Sequence, residues 1–470
     1  MDTATVTEPG ATALLGAWTA ALRYDAIPPA VIEHAKLCLL DGIGCGLYGA
    51  RQPWGVICGD FAHRQSPGGT ATLWALGKRS GPADAALANG TALHGFEIDD
   101  VHLLSLIHPG AVTIPAAVAV AEIQGSSGKA LLTALIAGYE VGLRVGICAG
   151  IPHQLRGYHP TGTVGCLSAA AAAASVLGLD AQATTHALGI AATQASGLYS
   201  AVRSGAMVKR MHAGRAAQSG VMSGMLAEHR FTGATDALEA PFAGFLSTLG
   251  HERPAAELHA QLGERWETLQ VGFKAYAACA SAHTLIDAVL AMRARGLNAD
   301  NVKRLEIRMS KSAMNNVGWA YKPGGVVAAQ MNGYYAAAVA LLDGEAFVDQ
   351  YAEDRLADPR ILGLLPKIDI VHGPALDASG AAKRHAVEVE AVMVDGARLH
   401  EAVEQRRGSA RFPLSSNEIE RKFERTAGTV MPQDRVRELR DLVFEIDAES
   451  DLRRLSLLLM GAPGQHNPAA

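Results

Sequence analysis

Six cysteines in 470 residues, at positions 38, 45, 58, 148, 166 and 279, form no C-x-x-C pair. Neither a zinc knuckle nor a redox dithiol is indicated, and the thiols read as small buried hydrophobes. Aromatic residues make up only 5% of the chain, so its core must rest on aliphatic and small side chains. Basic runs are missing too: 41 Lys and Arg against 46 Asp and Glu give a net charge of -5, without the positive footprint that nucleic-acid binding requires. No G-x-x-x-x-G-K-[ST] and no H-E-x-x-H occurs, which removes the usual local evidence for a P-loop or a zinc hydrolase. One G-x-G-x-x-G match, Gly44 to Gly49, ends a helical apolar pattern instead of joining a strand to a helix, so the dinucleotide context is absent. The first residues show no basic segment leading into an apolar one, and the most continuously apolar stretch, Cys166 to Leu179, is short of the ~20 residues that span a bilayer. A cytoplasmic protein with no membrane and no nucleic-acid partner is expected.

What is present is a hydrophobic content of 49% with 19% charged residues, enough for two or three domain-sized cores. Apolar residues recur at helical spacing in Ala11–Leu22, Pro29–Leu47, Ala83–His94, Ile114–Ile123, Lys129–Val145, Thr163–Leu177 and Met207–His229. Gly and Ala at many of these positions allow close approach of helix backbones. After about residue 270 the period changes: Val302–Ser310 and Ala386–Val394 alternate, and Lys367–Val371 is β-prone, with helical stretches at Ala282–Arg295 and Val326–Leu342 between them. Amphipathic helices return at Asn417–Thr426 and Asp434–Val443. The expected fold is mainly α: an all-helical domain over 1–268, a smaller α+β domain over 269–408, and C-terminal helices over 409–470 that return to the helical domain. The tail from Gly461 has the composition of a frayed terminus.

Four segments carry chemistry. Between His94 and His108 lie three histidines and three carboxylates, Glu97, Asp99 and Asp100 with His94, His102 and His108, and the stretch from Val101 to Pro109 adds five large aliphatic residues. Ionisable groups are costly to bury unless paired, so such a cluster either faces water or forms a site. Gly157 to Gly165 places His159 and Thr161 in a loop before an alanine-rich helix, where helix N–H groups attract anions and Thr161 or Thr163 can cap. Met207 to Gly220 puts Lys209 and His212 three apart on one helix face, beside Arg210. Phe273 to Ala288 places His283 near a helix start, where the dipole favours the neutral imidazole. The bland readings are a surface-loop histidine, a solvated Lys-Arg pair and a first-turn histidine.

These four segments, in this order, resemble the MmgE/PrpD family of 2-methylcitrate dehydratases, cis-aconitate decarboxylases and iminodisuccinate epimerases. The resemblance rests on His94 through Asp100 with His108-Pro109, on Gly157-Tyr-His-Pro-Thr-Gly-Thr, on Lys209-x-x-His-x-Gly, and on Lys274-x-Tyr-x-x-Cys before His283 and Asp287. It implies a helical domain built from both chain ends, an inserted α+β domain, usually a homodimer, and a cleft that binds a small carboxylic acid without metal or organic cofactor. It also implies His108, His159, Lys209 and His283 as catalytic residues, with Glu97, Asp100, His102, Thr161, Arg210 and the cleft tyrosine Tyr335 around the substrate. Departures are visible: Glu97 replaces Asp, Val101 replaces Thr, one extra residue precedes His108, Tyr334 replaces Pro, and Ala277 replaces the Pro before Cys279. Glu reaches about one methylene farther, so the pocket geometry must differ.

The activities of the family share a proton handled on carbon beside a carboxylate. Lys209, with Arg210, would pair with substrate carboxylates and stabilise enediolate-like charge; His159 and His283 would serve as base and acid, and His108 and Asp100 would orient partners or help a hydroxyl leave. A hydro-lyase of the 2-methylcitrate dehydratase type is the first expectation. A decarboxylase of the cis-aconitate type and an epimerase are alternatives, and a binding protein or a metal site among the clustered His and carboxylates is the rival class.

Overall fold

The computed structural model describes residues 9–200, 206–378 and 383–461. The frayed end expected from Gly461 onward therefore lies, from residue 462, outside the described residues.

The helical periodicity of the first half becomes helices Ala11–Ala21, Pro29–Ala50, Pro82–Leu93, Pro109–Gln124, Gly128–Leu155, Gly165–Val176 and Val208–Glu228. Several begin with proline in the first turn, where its missing N–H costs nothing. Ser127 and Asp180 cap others by accepting from the N–H three residues on. Val208–Glu228 crosses Pro82–Leu93 so closely that a Cβ on Gly90 would lie 2.8 Å from the Cα of Gly214. The G-x-G-x-x-G letters sit inside Pro29–Ala50, where Gly44 lies against Phe423 and Thr426 of the helix Ser416–Ala427. Its glycines serve packing, as the missing strand-to-helix context predicts.

Helices Pro53–Gln65 and Ala181–Ala192 and the hairpin of Ala71–Leu73 with Lys78–Ser80 were not expected. The helix expected over Thr163–Leu177 is preceded by a separate short turn, Pro160–Thr163. Gly128–Leu155 runs well beyond Val145 and is long and apolar enough to cross a membrane, at a mean hydropathy of 1.5. Among the described residues it is the one helix of that length and hydropathy, and 94% of its apolar window is buried inside the protein, as in a core helix.

Beyond residue 300 a four-stranded sheet has the order Ile368–His372, Val302–Met309, Val387–Met393, Arg398–Val403. Leu305 pairs with Ile368 in parallel, while Ile307 with Val389 and Val389 with Glu401 pair antiparallel. Alternating burial along Val387–Met393 matches the alternation of its sequence. Helices Ala280–Ala294 and Gly333–Asp343 pack on the sheet. The single helix expected over Val326–Leu342 is broken, because Asn332 Oδ1 accepts from the Tyr335 N–H at 3.0 Å and starts a new helix there.

Two contacts bring the far parts of the chain to the His94–His108 segment. Val101 and His102 pair antiparallel with Gly272 and Val271, which carries the following residues toward the same place. Lys422, in Ser416–Ala427, reaches Asp41 Oδ1 at 2.6 Å and donates to the carbonyl of Ile98.

Candidate active site

Pro82–Leu93 ends in a turn, His94–Phe96, and the next residue, Glu97, has φ 57° and ψ 31°. A non-glycine residue in this left-handed region costs about 1–2 kcal/mol, so the surroundings must hold it there. Arg210 Nε donates to the Gly95 carbonyl at 2.5 Å, Gln330 Nε2 to that of Phe96 at 2.7 Å, and Lys422 Nζ to that of Ile98. Three distant parts of the chain thus fix one loop, and the loop sets the directions of Glu97 and Asp99.

Glu97 is buried between two lysines: Lys209 Nζ donates to Oε1, and Lys274 Nζ donates to Oε2 at 3.0 Å. Asp99 Oδ2 accepts from His94 Nδ1 at 2.6 Å and lies 3.2 Å from His108 Nδ1, while Lys274 Nζ is 3.7 Å from Oδ1. Burial opposes ionisation of both carboxyls, but Lys209 and Lys274 outweigh it at Glu97, and His108, His94 and Lys274 outweigh it at Asp99, so both stay far below the carboxylate range. The two carboxylates in turn hold Lys274 above its ordinary value against its burial. His159 lies well below the usual imidazole value, first through burial and then through Lys209 and His94. It is neutral at pH 7. Burial first, with Lys209 and His108, brings His94 down to about 4 despite Asp99.

Around these groups lies a cavity of about 90 Å³ whose wall includes Glu97, His108, His159, Lys209, Lys274 and Arg406. It shares Tyr199, Asn316 and Arg384 with an outer groove of about 670 Å³. An inner wall with four cationic side chains against one carboxylate suits a polycarboxylate. Metal chemistry has one candidate set among the described residues, His94, Asp99 and His108, with ligand atoms within 4.8 Å of one another. There the His94 imidazole already donates to Asp99 and the Lys274 ammonium neutralises it, so the set fits a hydrogen-bonded charge cluster better than a cation site.

Of the residues singled out in the sequence, His108, His159, Lys209 and Glu97 meet on this wall. His283 does not: it is fully buried, edge-on to Tyr276 at 5.2 Å, with Nε2 3.1 Å from the Ala278 carbonyl. Burial, with Arg406 and Lys274, keeps it neutral as its place near a helix start suggested. Asp100 points the other way from Asp99; its carboxyl takes the Tyr139 hydroxyl at 2.8 Å and the Gly110 N–H at 3.0 Å. Burial raises it to about 8. His102 is turned by its strand pairing toward Ser105 and Glu267, with Nε2 3.7 Å from Glu267. Arg210 stacks on Trp54 at 3.7 Å and holds the loop instead of facing the cavity. Tyr335 is a core residue between Tyr321 and Tyr351, its hydroxyl donating to the Gln350 carbonyl at 2.8 Å. Neither threonine caps: Thr161 Oγ1 accepts from the His108 N–H at 3.2 Å, and Thr163 Oγ1 pairs with His153 Nε2 at 2.7 Å.

Sequence reasoning gave Lys274 no place in the site, and it left Asp99 and His94 in the charged cluster without a role of their own. Lys274 had a signal, a lone charge among Phe273, Ala275, Tyr276 and Ala277. Asp99 and Asp100 could not be told apart, because the loop conformation decides which neighbour faces the lysines.

Residues 13–257 match the MmgE/PrpD N-terminal domain and residues 276–447 the MmgE/PrpD C-terminal domain. A cis-aconitate decarboxylase of Aspergillus terreus is 32% identical over 475 residues, covering 96% of this chain and 96% of that protein. The cis-aconitate decarboxylase of Homo sapiens is 28% identical, covering 97% of this chain and 95% of its own.

Proposed function

Because the chain belongs to the MmgE/PrpD family and is a lyase, we propose that it removes CO₂ from a small unsaturated tricarboxylic acid of the cis-aconitate type. The hydro-lyase outcome first expected from the sequence yields to this alternative, since the full-length relatives are named as cis-aconitate decarboxylases. The observation that carries it is the cluster of Lys209, Lys274, Arg384 and Arg406 around one cavity with the imidazoles of His108, His159 and His385.

Breaking the carbon–carboxylate bond leaves an electron pair on carbon, which a neighbouring conjugated carboxylate spreads onto its oxygens. Lys209 and Lys274 stabilise that charge, fixed in advance by Glu97 and Asp99 so that little reorganisation accompanies reaction. Arg384 and Arg406 hold the remaining carboxylates. A neutral imidazole, His159, delivers the proton to carbon, and His108, oriented beside Asp99, serves the opposite side of the substrate. Glu97, where the resemblance implies that the family pattern usually has Asp, makes the lysine clamp one methylene longer and sets which acid fits.

As the resemblance implies, the proposal includes a homodimer without metal or organic cofactor. All six cysteines are free, which suits a cytoplasmic location.

The test is proton NMR and CO₂ release in D₂O with cis-aconitate, 2-methylcitrate and citrate. CO₂ with one deuteron bound to product carbon supports the reading; loss of a hydroxyl with no CO₂ sinks it in favour of the hydro-lyase.

A further inference from the structure

The imidazoles of His108, His94, His159 and His212 form a row, with ring centres 4.8, 5.6 and 5.2 Å apart. At its end, Nδ1 of His159 lies 3.1 Å from Nδ1 of His212. Two like nitrogens at that distance make a hydrogen bond only when one carries the hydrogen and the other the lone pair. The tautomer of one ring therefore dictates that of the other. His159 is on the cavity wall, whereas His212 stands at the outer end of Val208–Glu228, next to the exposed Met211 and one turn from the exposed Met207 and Val208. Gly197, at φ 131°, presses its backbone on the His212 ring; a Cβ there would stand 3.3 Å from Cγ and 3.4 Å from Nδ1. The two rings form a clamped pair in which His212, 9% exposed, lies under the surface formed by Met207, Val208 and Met211.

We propose that His212 is a positioning residue that hands a proton to His159 Nδ1 as His159 Nε2 protonates carbon, drawing one from solvent itself, and takes it back once product has left. The relay rests on the decarboxylation reading, which consumes one proton at carbon for each CO₂ released. His159 Nε2–H gives its proton to the carbon bearing the electron pair of the broken bond. His212 Nδ1–H moves to His159 Nδ1, and His212 Nε2 takes a proton from solvent. Both rings end neutral with their hydrogens exchanged. Once product has left, solvent reprotonates His159 Nε2, the Nδ1 proton returns to His212, and His212 Nε2–H is released, so the proton consumed at carbon is replaced at His159 Nε2 and His212 carries its own in and out once per turnover.

The charged and titratable groups facing His159 are Lys209, His94, His212, His108 and Tyr199, and those facing His212 are His159 and Lys209. Burial, followed by Lys209, holds both rings below the ordinary imidazole value, so the relay runs through neutral tautomers. Lys209 sits one turn before His212 on the same helix and keeps an imidazolium from resting at either ring.

Two measurements test the relay separately from the substrate. In ¹⁵N-histidine NMR of the free enzyme, His159 should show Nδ1 as acceptor, and His212→Phe should change its tautomer ratio. An unchanged ratio overturns the proposal whatever the substrate is. In turnover of cis-aconitate, His212→Phe should lower kcat by about 10²-fold at unchanged KM, with activity recovering as imidazole is added to the buffer. His212→Asn keeps a donor toward His159 but has no second nitrogen to reload, so it should be equally slow and equally rescued. A fully active His212→Asn, or a slow His212→Phe that imidazole does not restore, overturns the relay. A wild-type enzyme inert toward cis-aconitate would instead sink the decarboxylase reading, and the NMR result would still decide the fate of the histidine pair.

Discussion

Lys274 donates to Glu97 across 3.0 Å from 177 residues farther along the chain, and both side chains are buried. With Lys209 on the other carboxylate oxygen, Glu97 compensates two cations in one low-dielectric place. The loop strain at Glu97 and the burial of both lysines are thereby offset by the same contact.

Glu97→Gln removes that compensation and leaves two buried ammonium groups against a neutral amide. Loss of one partner from a buried ion pair costs about 3–5 kcal/mol. Urea unfolding at pH 7.5 should show a loss of that size, with near-normal helical circular dichroism at zero urea. A stability within experimental error of wild type would show that the lysines do not depend on Glu97.

Replacing Lys274 by Met removes a charge that stands 3.0 Å from Glu97 and 3.7 Å from Asp99 on the cavity wall. If it stabilises charge in the transition state, kcat/KM for the decarboxylated acid should fall about 10²–10³-fold, mostly in kcat. A change confined to KM would mean that Lys274 only binds the ground state.

Asp99 and Asp100 should separate cleanly despite being neighbours. Asp99→Asn disrupts the contacts to His94, His108 and Lys274 and should abolish most activity, whereas Asp100→Asn should leave kcat near wild type. Burial raises Asp100 from 3.8 to about 8 in the folded protein. A carboxyl with a higher folded than unfolded pKa gives stability that is complete below the unfolded value and lost as pH rises through the folded one. Between pH 4 and 8, Asp100→Asn should therefore gain stability relative to wild type as pH increases. Denaturation series at pH 5 and 8 check the sign, and a gain that shrinks with pH would contradict the burial argument.

Tyr335→Phe removes the hydrogen bond to the Gln350 carbonyl in the core. A loss of about 1 kcal/mol in unfolding free energy with unchanged kcat and KM is expected. A large loss of kcat at unchanged stability would return Tyr335 to the substrate.

Much of the architecture was legible in the sequence because it rests on local rules. Helical periodicity located Pro29–Ala50 and Val208–Glu228, alternation located Val302–Met309 and Val387–Met393, and the crowding of charges between His94 and His108 marked the place where a site had to be. Periodicity was blind to Ala181–Ala192, and to the break at Asn332, where a side-chain cap restarts the helix.

By itself the sequence determined which segments are helix or strand, where charge had to be reconciled with burial, and which residue types were on hand for proton transfer, since all of these depend on neighbours along the chain. Only the tertiary structure decided that Asp99 and not Asp100 faces Lys274, that Lys274 joins Lys209 on Glu97, and that His283 and Tyr335 lie outside the cavity wall. Those outcomes depend on a left-handed backbone at Glu97 and on carbonyls held by Arg210, Gln330 and Lys422, contacts that span 115, 234 and 324 residues and that no local pattern encodes.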